Sequence, residues 1–557
     1  MAQHARATVN ARRTSGSGGA VPAPQPASHR IADGDGGLIL ALDQGTTNTK
    51  ALLVEAASGR VVASAARRVG ITFPAPGWVE QDADDLWAAT EAAVDDVLRA
   101  ADEPVLAGVA ISNQRESVAV WEADGAPLGP VLGWQDARTA GACADLAERD
   151  PELAATVRTR TGLDLDPMFS APKMRWLLDA VADAGAVRVG QIRVGTIDTY
   201  LLGRLTGEHA TEAGNASRTL LLDLATQTWD EELCEAFGVP LAALAPVRRS
   251  DAELGRTLPG GRIPAGVPVL SVLADSHAAL YHHAGGRPGE GKATYGTGSS
   301  IMVGAASAAA APSGVAATLA WLTDAPAFAR EGNIVASGAA LTWMAQILTD
   351  GDVVALGDLA AQAAPGLAFV PAFSGLGAPY FDRGATGLLA GITGGTTRAD
   401  LARAAFEAVA HQVCDVVEAM ESDGAAHLDV LHADGGATAS ALLMQTQADL
   451  LGRPVRVSGE PEASALGAAM LAARGLGHDW SARAADGEAA QQAHRVVEPA
   501  LDAPARAARR EAWRTAVDRS RGRATVGRTP GPTSGRTTST TATTSNVEAT
   551  QESRRTL

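Results

Sequence analysis

Apolar runs in this chain are short and end in turns of small polar residues, and the first of them sets the pattern. Leu38, Ile39, Leu40, Ala41 and Leu42 are apolar at every position, a run too short for most helices and suited to a strand buried on both faces. It stops at Asp43 and gives way to the polar turn Gln44-Gly45-Thr46-Thr47-Asn48. A second apolar segment at 51–54, a Ser58-Gly59 turn and a strand-like stretch at 60–66 follow. Strand, turn, strand, turn, strand predicts an antiparallel start to a sheet. Much later the arrangement recurs: Lys292-Ala293-Thr294-Tyr295 leads through Gly296-Thr297-Gly298-Ser299-Ser300 into Ile301-Met302-Val303. Two such hydroxyl-rich turns predict two similar domains facing each other, with a boundary near Gly285. Elsewhere short apolar runs alternate with Ala/Leu/Glu/Arg stretches at helical spacing, the mark of an α/β protein. Residues 1–36 and 522–557 lack any apolar period and are rich in Gly, Ser, Thr, Pro and Arg, which predicts disordered tails. The ordered domains are then 37–284 and 285–521.

Bulk properties narrow the function classes. A chain of 557 residues exceeds what one core usually serves, in keeping with two domains. The formal net charge of −17 argues against a nucleic-acid partner, while an anionic nucleotide needs only local positive potential. Cys143, Cys234 and Cys414 lie far apart without metal-type spacing, which excludes a disulfide framework and fits a reducing cytoplasm. No apolar run reaches the roughly 18 residues of a membrane span, and the N-terminus has no secretory h-region.

The turn after Asp43 carries nucleotide chemistry. Gly45 allows close backbone approach, Thr46, Thr47, Asn48 and Thr49 offer donors, and Lys50 adds positive charge. Asp43 at the strand end suits Mg²⁺, which takes few carboxylates and several waters. A plain polar hairpin turn is the alternative at this point. Residues 286–293, GRPGEGKA, resemble a P-loop but put Ala293 at the Ser/Thr position and precede a strand instead of opening a helix. That reading is rejected.

Motifs in one order then identify a family. ALDQGTT at 41–47, GWVEQD at 77–82, NQRE at 113–116, Trp134-Gln135, and Phe169-Ser170 with Lys173 and Trp176 come first. PAFSGLGAPY at 371–380, GLLAGI at 387–392, DLARAAFE at 400–407, Asp434-Gly435-Gly436 and EAWRTAV at 511–517 follow. Over roughly residues 37–521 the chain resembles the FGGY carbohydrate kinases, most closely their glycerol kinase branch.

The resemblance implies two ribonuclease-H-like domains of the actin, sugar-kinase and Hsp70 type, flanking a cleft for ATP and substrate. It implies ATP-dependent phosphorylation of a hydroxyl of glycerol or a related polyol or sugar, with Mg²⁺, by a homodimer or homotetramer. Phosphate contacts fall to Thr46, Thr47, Asn48, Thr297 and Gly298, with Lys50 where an Arg is usual. Gly338 and Gly436 are expected to line the adenosine pocket, and Thr342 and Ser440 stand where the branch has a Gln and an Asn. Asp275 is the expected base: an alcohol is a poor nucleophile, and a carboxylate in reach of its proton lets the oxygen attack. Arg115 and Glu116 are expected to hold neighbouring substrate hydroxyls, one donating and one accepting, beside Trp134. His277 is either a helix histidine near the cleft or a hydroxyl contact, and His282 and His283 are read as structural or exposed.

Three pocket positions depart from glycerol kinase. Met168 replaces a Tyr, Ser276 a Gln and Ser300 a Phe, so the pocket is roomier and suits a longer substrate such as erythritol, a pentitol, xylulose or ribulose. The short loop at Pro259-Gly260-Gly261-Arg262 predicts weak or absent regulation by fructose 1,6-bisphosphate. Two rivals remain. An actin- or Hsp70-like ATPase module has no use for a polyol clamp, and a degenerate, sugar-binding regulator binds both ligands without turnover.

Overall fold

The computed structural model describes residues 37–522, apart from 182–183, 189, 310 and 481–493. The tails expected at 1–36 and beyond 522 lie outside the described residues. Strand Leu38–Gln44 is central to a five-stranded sheet ordered Val269–Ala274, Leu106–Asn113, Leu38–Gln44, Asn48–Glu55, Val61–Arg68. Its two faces are both dry, as the unbroken apolar run predicts. Leu38, Leu40 and Leu42 pack with helix Ala83–Ala100, while Ile39 and Ala41 pack with helix Ala463–Gly475. Leu38–Gln44 runs antiparallel to Asn48–Glu55 and parallel to Leu106–Asn113, which in turn runs parallel to Val269–Ala274.

The second sheet repeats this plan around Gly289–Tyr295. That strand is antiparallel to Ser299–Ala305, itself antiparallel to Pro326–Ile334, and on its other side parallel to Leu428–Asp434 and then Val455–Ser458. Two further strands, Ala316–Leu322 and His494–Val497, extend the edges to seven. The turns at 44–48 and 295–299 therefore occupy equivalent places, each at the C-terminal end of a central strand, where α/β sheets present ligand sites. A smaller four-stranded sheet, Glu80–Gln81, Val131–Leu132, Val118–Glu122, Ile192–Thr196, carries its own core and flanks the first domain.

Two helices join the halves by exchange. Asp275–Ala284 leaves the last strand of the first sheet and packs Leu280 and Tyr281 against Met302 and Ala329 of the second. Ala463–Gly475 leaves the second sheet and covers the first, so a helix assigned by sequence to the C-terminal domain lies on the N-terminal sheet. They meet at Gly467, where an added Cβ would stand 1.9 Å from the Ala278 carbonyl oxygen. No rotamer relieves a clash with backbone, so the helices must part. Gly467→Ala is expected to lower unfolding stability in denaturant by about 1–3 kcal/mol. Gly475→Ala, where a Cβ meets nothing within 4 Å, serves as the control and should be neutral or slightly stabilising.

Candidate active site

Leu38–Gln44 and Val269–Ala274, parallel and separated by Leu106–Asn113, bring two carboxylates to one end of the first sheet. Register sets Asp43 opposite Ser112, whose hydroxyl donates to Asp43 Oδ1 at 2.9 Å. Loss of water around Asp43 raises its pKa from 3.8 to about 6; the Ser112 bond opposes the rise and the negative charge of Asp275 adds to it. Asp275 is the first residue of helix Asp275–Ala284 and does not cap it. Its Oδ1 accepts from Arg115 Nε at 3.1 Å and from the Ser276 backbone N–H at 2.6 Å. Neither bond commits Oδ2.

Arg115 and Glu116 follow the strand Leu106–Asn113 directly, and both are buried. Glu116 holds φ +60°, a left-handed conformation that costs a non-glycine residue energy and concentrates at functional sites. Arg115 donates from Nη1 and Nη2 to the two carboxylate oxygens of Glu331 at 2.8 and 2.7 Å, and Nη2 also reaches Ser276 Oγ at 3.3 Å. Glu331 comes from the opposite domain, on strand Pro326–Ile334. Arg218 completes the cluster, donating from Nε to Glu116 Oε1 at 2.7 Å and pairing through Nη2 with Glu331 Oε2 at 3.0 Å. Burial would raise the Glu331 carboxyl, but the Arg115 and Arg218 guanidiniums outweigh it and hold it well below the usual carboxylate range. Sequence reasoning missed Arg218 and Glu331. The available signal was a charged pair, Arg330 and Glu331, in the middle of a strand.

Trp134 donates from its indole N–H to Thr46 Oγ1 at 3.0 Å, tying the wall beside the clamp to the first turn. Met168 is partly buried, and its carbonyl accepts from Lys173 Nζ at 2.5 Å; the same ammonium reaches the Gly133 carbonyl at 3.3 Å. Burial pulls the pKa of Lys173 down to about 8. Lys173 thus staples the segments that carry Trp134 and Met168.

The first turn is closed by a Gly45 N–H to Asn48 carbonyl bond of 3.0 Å. Gln81 donates to the Thr46 carbonyl at 2.8 Å and Asn48 to Thr47 Oγ1 at 3.1 Å. Lys50 pairs with Glu462 at 2.7 Å, so its charge is already shared with the opposite domain. In the second turn Thr297 is exposed and Gly298 packs so closely that a Cβ would lie 2.4 Å from the Ile334 carbonyl oxygen.

At Gly338, expected to line the adenosine pocket, a Cβ would lie 2.5 Å from the Gly296 carbonyl oxygen, which accepts from the Gly338 N–H at 3.0 Å. Packing of turn on helix demands that glycine. At Gly436, by contrast, a Cβ would meet nothing within 4 Å. Thr342 is exposed on helix Gly338–Leu348. The Ser440 oxygen caps helix Ala441–Leu451 by accepting from the Leu443 N–H at 3.2 Å.

Two histidines also resolve. His277 is fully buried, its Nε2 3.4 Å from Thr318 Oγ1, and burial first, then Arg115 and Arg218, keep its pKa well below the ordinary value. It is a neutral residue behind the clamp. His283 is buried and pairs with Asp434, just before Gly435 and Gly436, at 2.7 Å.

Comparison with known proteins gives the family and the fold. Residues 38–281 match the N-terminal domain of the FGGY family of carbohydrate kinases, and residues 291–476 match its C-terminal domain. A glycerol kinase of Thermus brockianus is 44% identical over 495 residues, covering 87% of this chain and 98% of the relative. An apulose kinase of Pectobacterium atrosepticum is 41% identical over 492 residues, again 87% and 98%. The crystal structure of Plasmodium falciparum glycerol kinase with ADP superposes with a TM-score of 0.82 at 28% identity, covering 87% of this chain and 98% of that one. The chain therefore belongs to the FGGY family of carbohydrate kinases. It is an ATP-dependent kinase acting on a small sugar or polyol, with the two-domain fold of its relatives.

Proposed function

We propose that this kinase transfers the γ-phosphoryl group of ATP to a hydroxyl of a polyol or ketose held at Arg115 and Glu116, with Asp275 as the base. One observation carries the reading: Asp275 shares Arg115 with a buried clamp built from both domains, at the end of the sheet that also bears the first hydroxyl-rich turn. Asp275 accepts the hydroxyl proton as the sugar oxygen bonds to phosphorus, and the bond from the γ-phosphorus to the bridging oxygen breaks to release ADP. Thr46, Thr47, Asn48, Thr297 and backbone amides of both turns meet the phosphates. Gly436 leaves room for the nucleoside, with Thr342 and Ser440 beside it. Closure of the domains excludes water that would otherwise take the phosphoryl group.

The donors present fit Mg²⁺. Asp43 is a recessed carboxylate at a strand end, beside the first turn, with Oδ1 held by Ser112, and Mg²⁺ bound to nucleotide needs only one or two carboxylates with waters. Bound there, the ion supplies neutralisation of phosphate charge. Asp43→Asn is expected to raise the Mg²⁺ concentration for half-maximal rate about tenfold or more, the loss of one charge-assisted ligand interaction, while sugar affinity measured by calorimetry stays put. An unchanged Mg²⁺ requirement would remove Asp43 from this role.

Met168, Ser276 and Ser300 favour a substrate longer than glycerol, and a 41% identical relative is an apulose kinase. The test is ADP release with Mg-ATP across glycerol, erythritol, the pentitols and several ketoses. Turnover that is fastest on a longer substrate supports the reading. Efficient glycerol phosphorylation without activity on the others would overturn the specificity, and ATP binding with no turnover would point to a regulator. Three free, buried cysteines support a cytoplasmic location, and family resemblance supports a homodimer or homotetramer; no helix among the described residues is long and apolar enough to cross a membrane.

A further inference from the structure

The second sheet turns one continuous polar face toward the clamp. Glu331, which grips Arg115, and Asn333 are two residues apart on one strand and so share a side of the sheet; Asn333 Nδ2 leans to Glu331 Oε1 at 3.5 Å. Register puts Ser300 opposite Asn333, and Thr294 opposite Ser300. All three are partly exposed. Behind them Lys292 is buried, and its Nζ reaches Thr294 Oγ1 at 3.2 Å and Ser300 Oγ at 3.4 Å. Burial pushes the pKa of this ammonium down, with Asp434, Glu331 and Asp275 pulling it back against Arg115.

An ammonium can only donate, so both hydroxyls spend an acceptor lone pair on Lys292. Thr294 gives its own O–H to Asp434, whereas Ser300 keeps its O–H to give elsewhere. The wall facing the clamp then offers two donors, the Ser300 O–H polarised by a buried cation and the Asn333 carboxamide N–H. It has no use for an apolar carbon chain and matches acceptor oxygens. The surrounding charge adds a limit: Arg115, Arg218 and Lys292 face Glu116, Glu331, Asp275 and Asp434, leaving no surplus cation for a substrate carboxylate.

We infer that Ser300 and Asn333, backed by Lys292 and Thr294, form a second specificity wall that reads hydroxyl or carbonyl oxygens beyond the pair held by Arg115 and Glu116, selecting uncharged substrates longer than glycerol. This rests on the kinase reading above and names the part of the site that sets its substrate class. Lys292→Met removes the charge and keeps the stem, and Asn333→Ala alters a partly exposed residue in case the buried change impairs folding. Both are compared with wild type for kcat/KM on glycerol, a pentitol, a ketopentose and an aldonate.

The expected result is a preference of the wild type for the neutral five-carbon substrates that falls roughly ten- to hundredfold relative to glycerol in each variant, mainly through KM. Equal losses on glycerol and the longer substrates would overturn the wall while leaving the kinase intact, as would a preference for the aldonate. No turnover on any of the four by the wild type would overturn the kinase reading and this inference with it.

Discussion

An Asp275→Asn variant is expected to lose roughly 10²- to 10⁴-fold in kcat, the range a positioned general base contributes, while ATP and sugar bind within a few-fold of wild type. The amide has the size of the carboxylate, and its oxygen can still accept from Arg115 Nε and the Ser276 N–H, the two bonds now made by Oδ1. The clamp therefore keeps its shape. What the amide lacks is a basic oxygen to receive the proton of the attacking hydroxyl, so the loss falls on the chemical step. Steady-state rates set beside calorimetric affinities separate the two effects. A kcat within a few-fold of wild type would reassign the base, and weakened sugar binding with kcat preserved would make Asp275 a binding residue.

How much of this was legible depends on how local each feature is. The two strand–turn–strand units were readable because an apolar run ending in Gly, Thr and Ser is a local pattern, and each is found as an antiparallel pair. The motifs around Arg115 and Asp275 were readable as strings, but their partners were not. Arg115 and Glu331 are 216 positions apart, and nothing near Glu331 announces which guanidinium it meets. The same applies to His283, read as structural or exposed, whose partner Asp434 lies 151 positions away. Gly338 shows the converse case: a glycine opening a helix can be required by a ligand or by the chain's own backbone, and the 2.5 Å approach to Gly296 supplies the second reason, which no local pattern announces. Helix Ala463–Gly475 was assigned by its order in the chain, whereas its alanine-rich face packs where the first sheet has room for small side chains.

Glu331→Ala is expected to be the most destabilising single change in the cleft, about 3–5 kcal/mol, because it takes from two buried cations the carboxylate they share. The side chains of Arg218 and Glu331 are each 1% exposed, and that of Arg115 is 9% exposed, so water cannot replace the lost carboxylate. The folded pKa of Glu331 lies below its ordinary value of 4.5; the stability it adds is present above that value and is lost as pH falls toward the depressed one. Denaturant unfolding at neutral pH measures the loss, and a cost under about 1 kcal/mol, the scale of a surface ion pair, would show that the network is not what joins the domains here. Removing Arg218 as well offers a sharper check. Because the penalty comes from unpaired charge and not from lost volume, Glu331→Ala combined with Arg218→Met should be more stable than Glu331→Ala alone. Additive losses would instead mean that Glu331 acts through packing. Arg115 would then keep Asp275 and Glu116 as neighbouring carboxylates, so a folded Glu331→Gln protein should also show slower turnover, its clamp drawn onto the base.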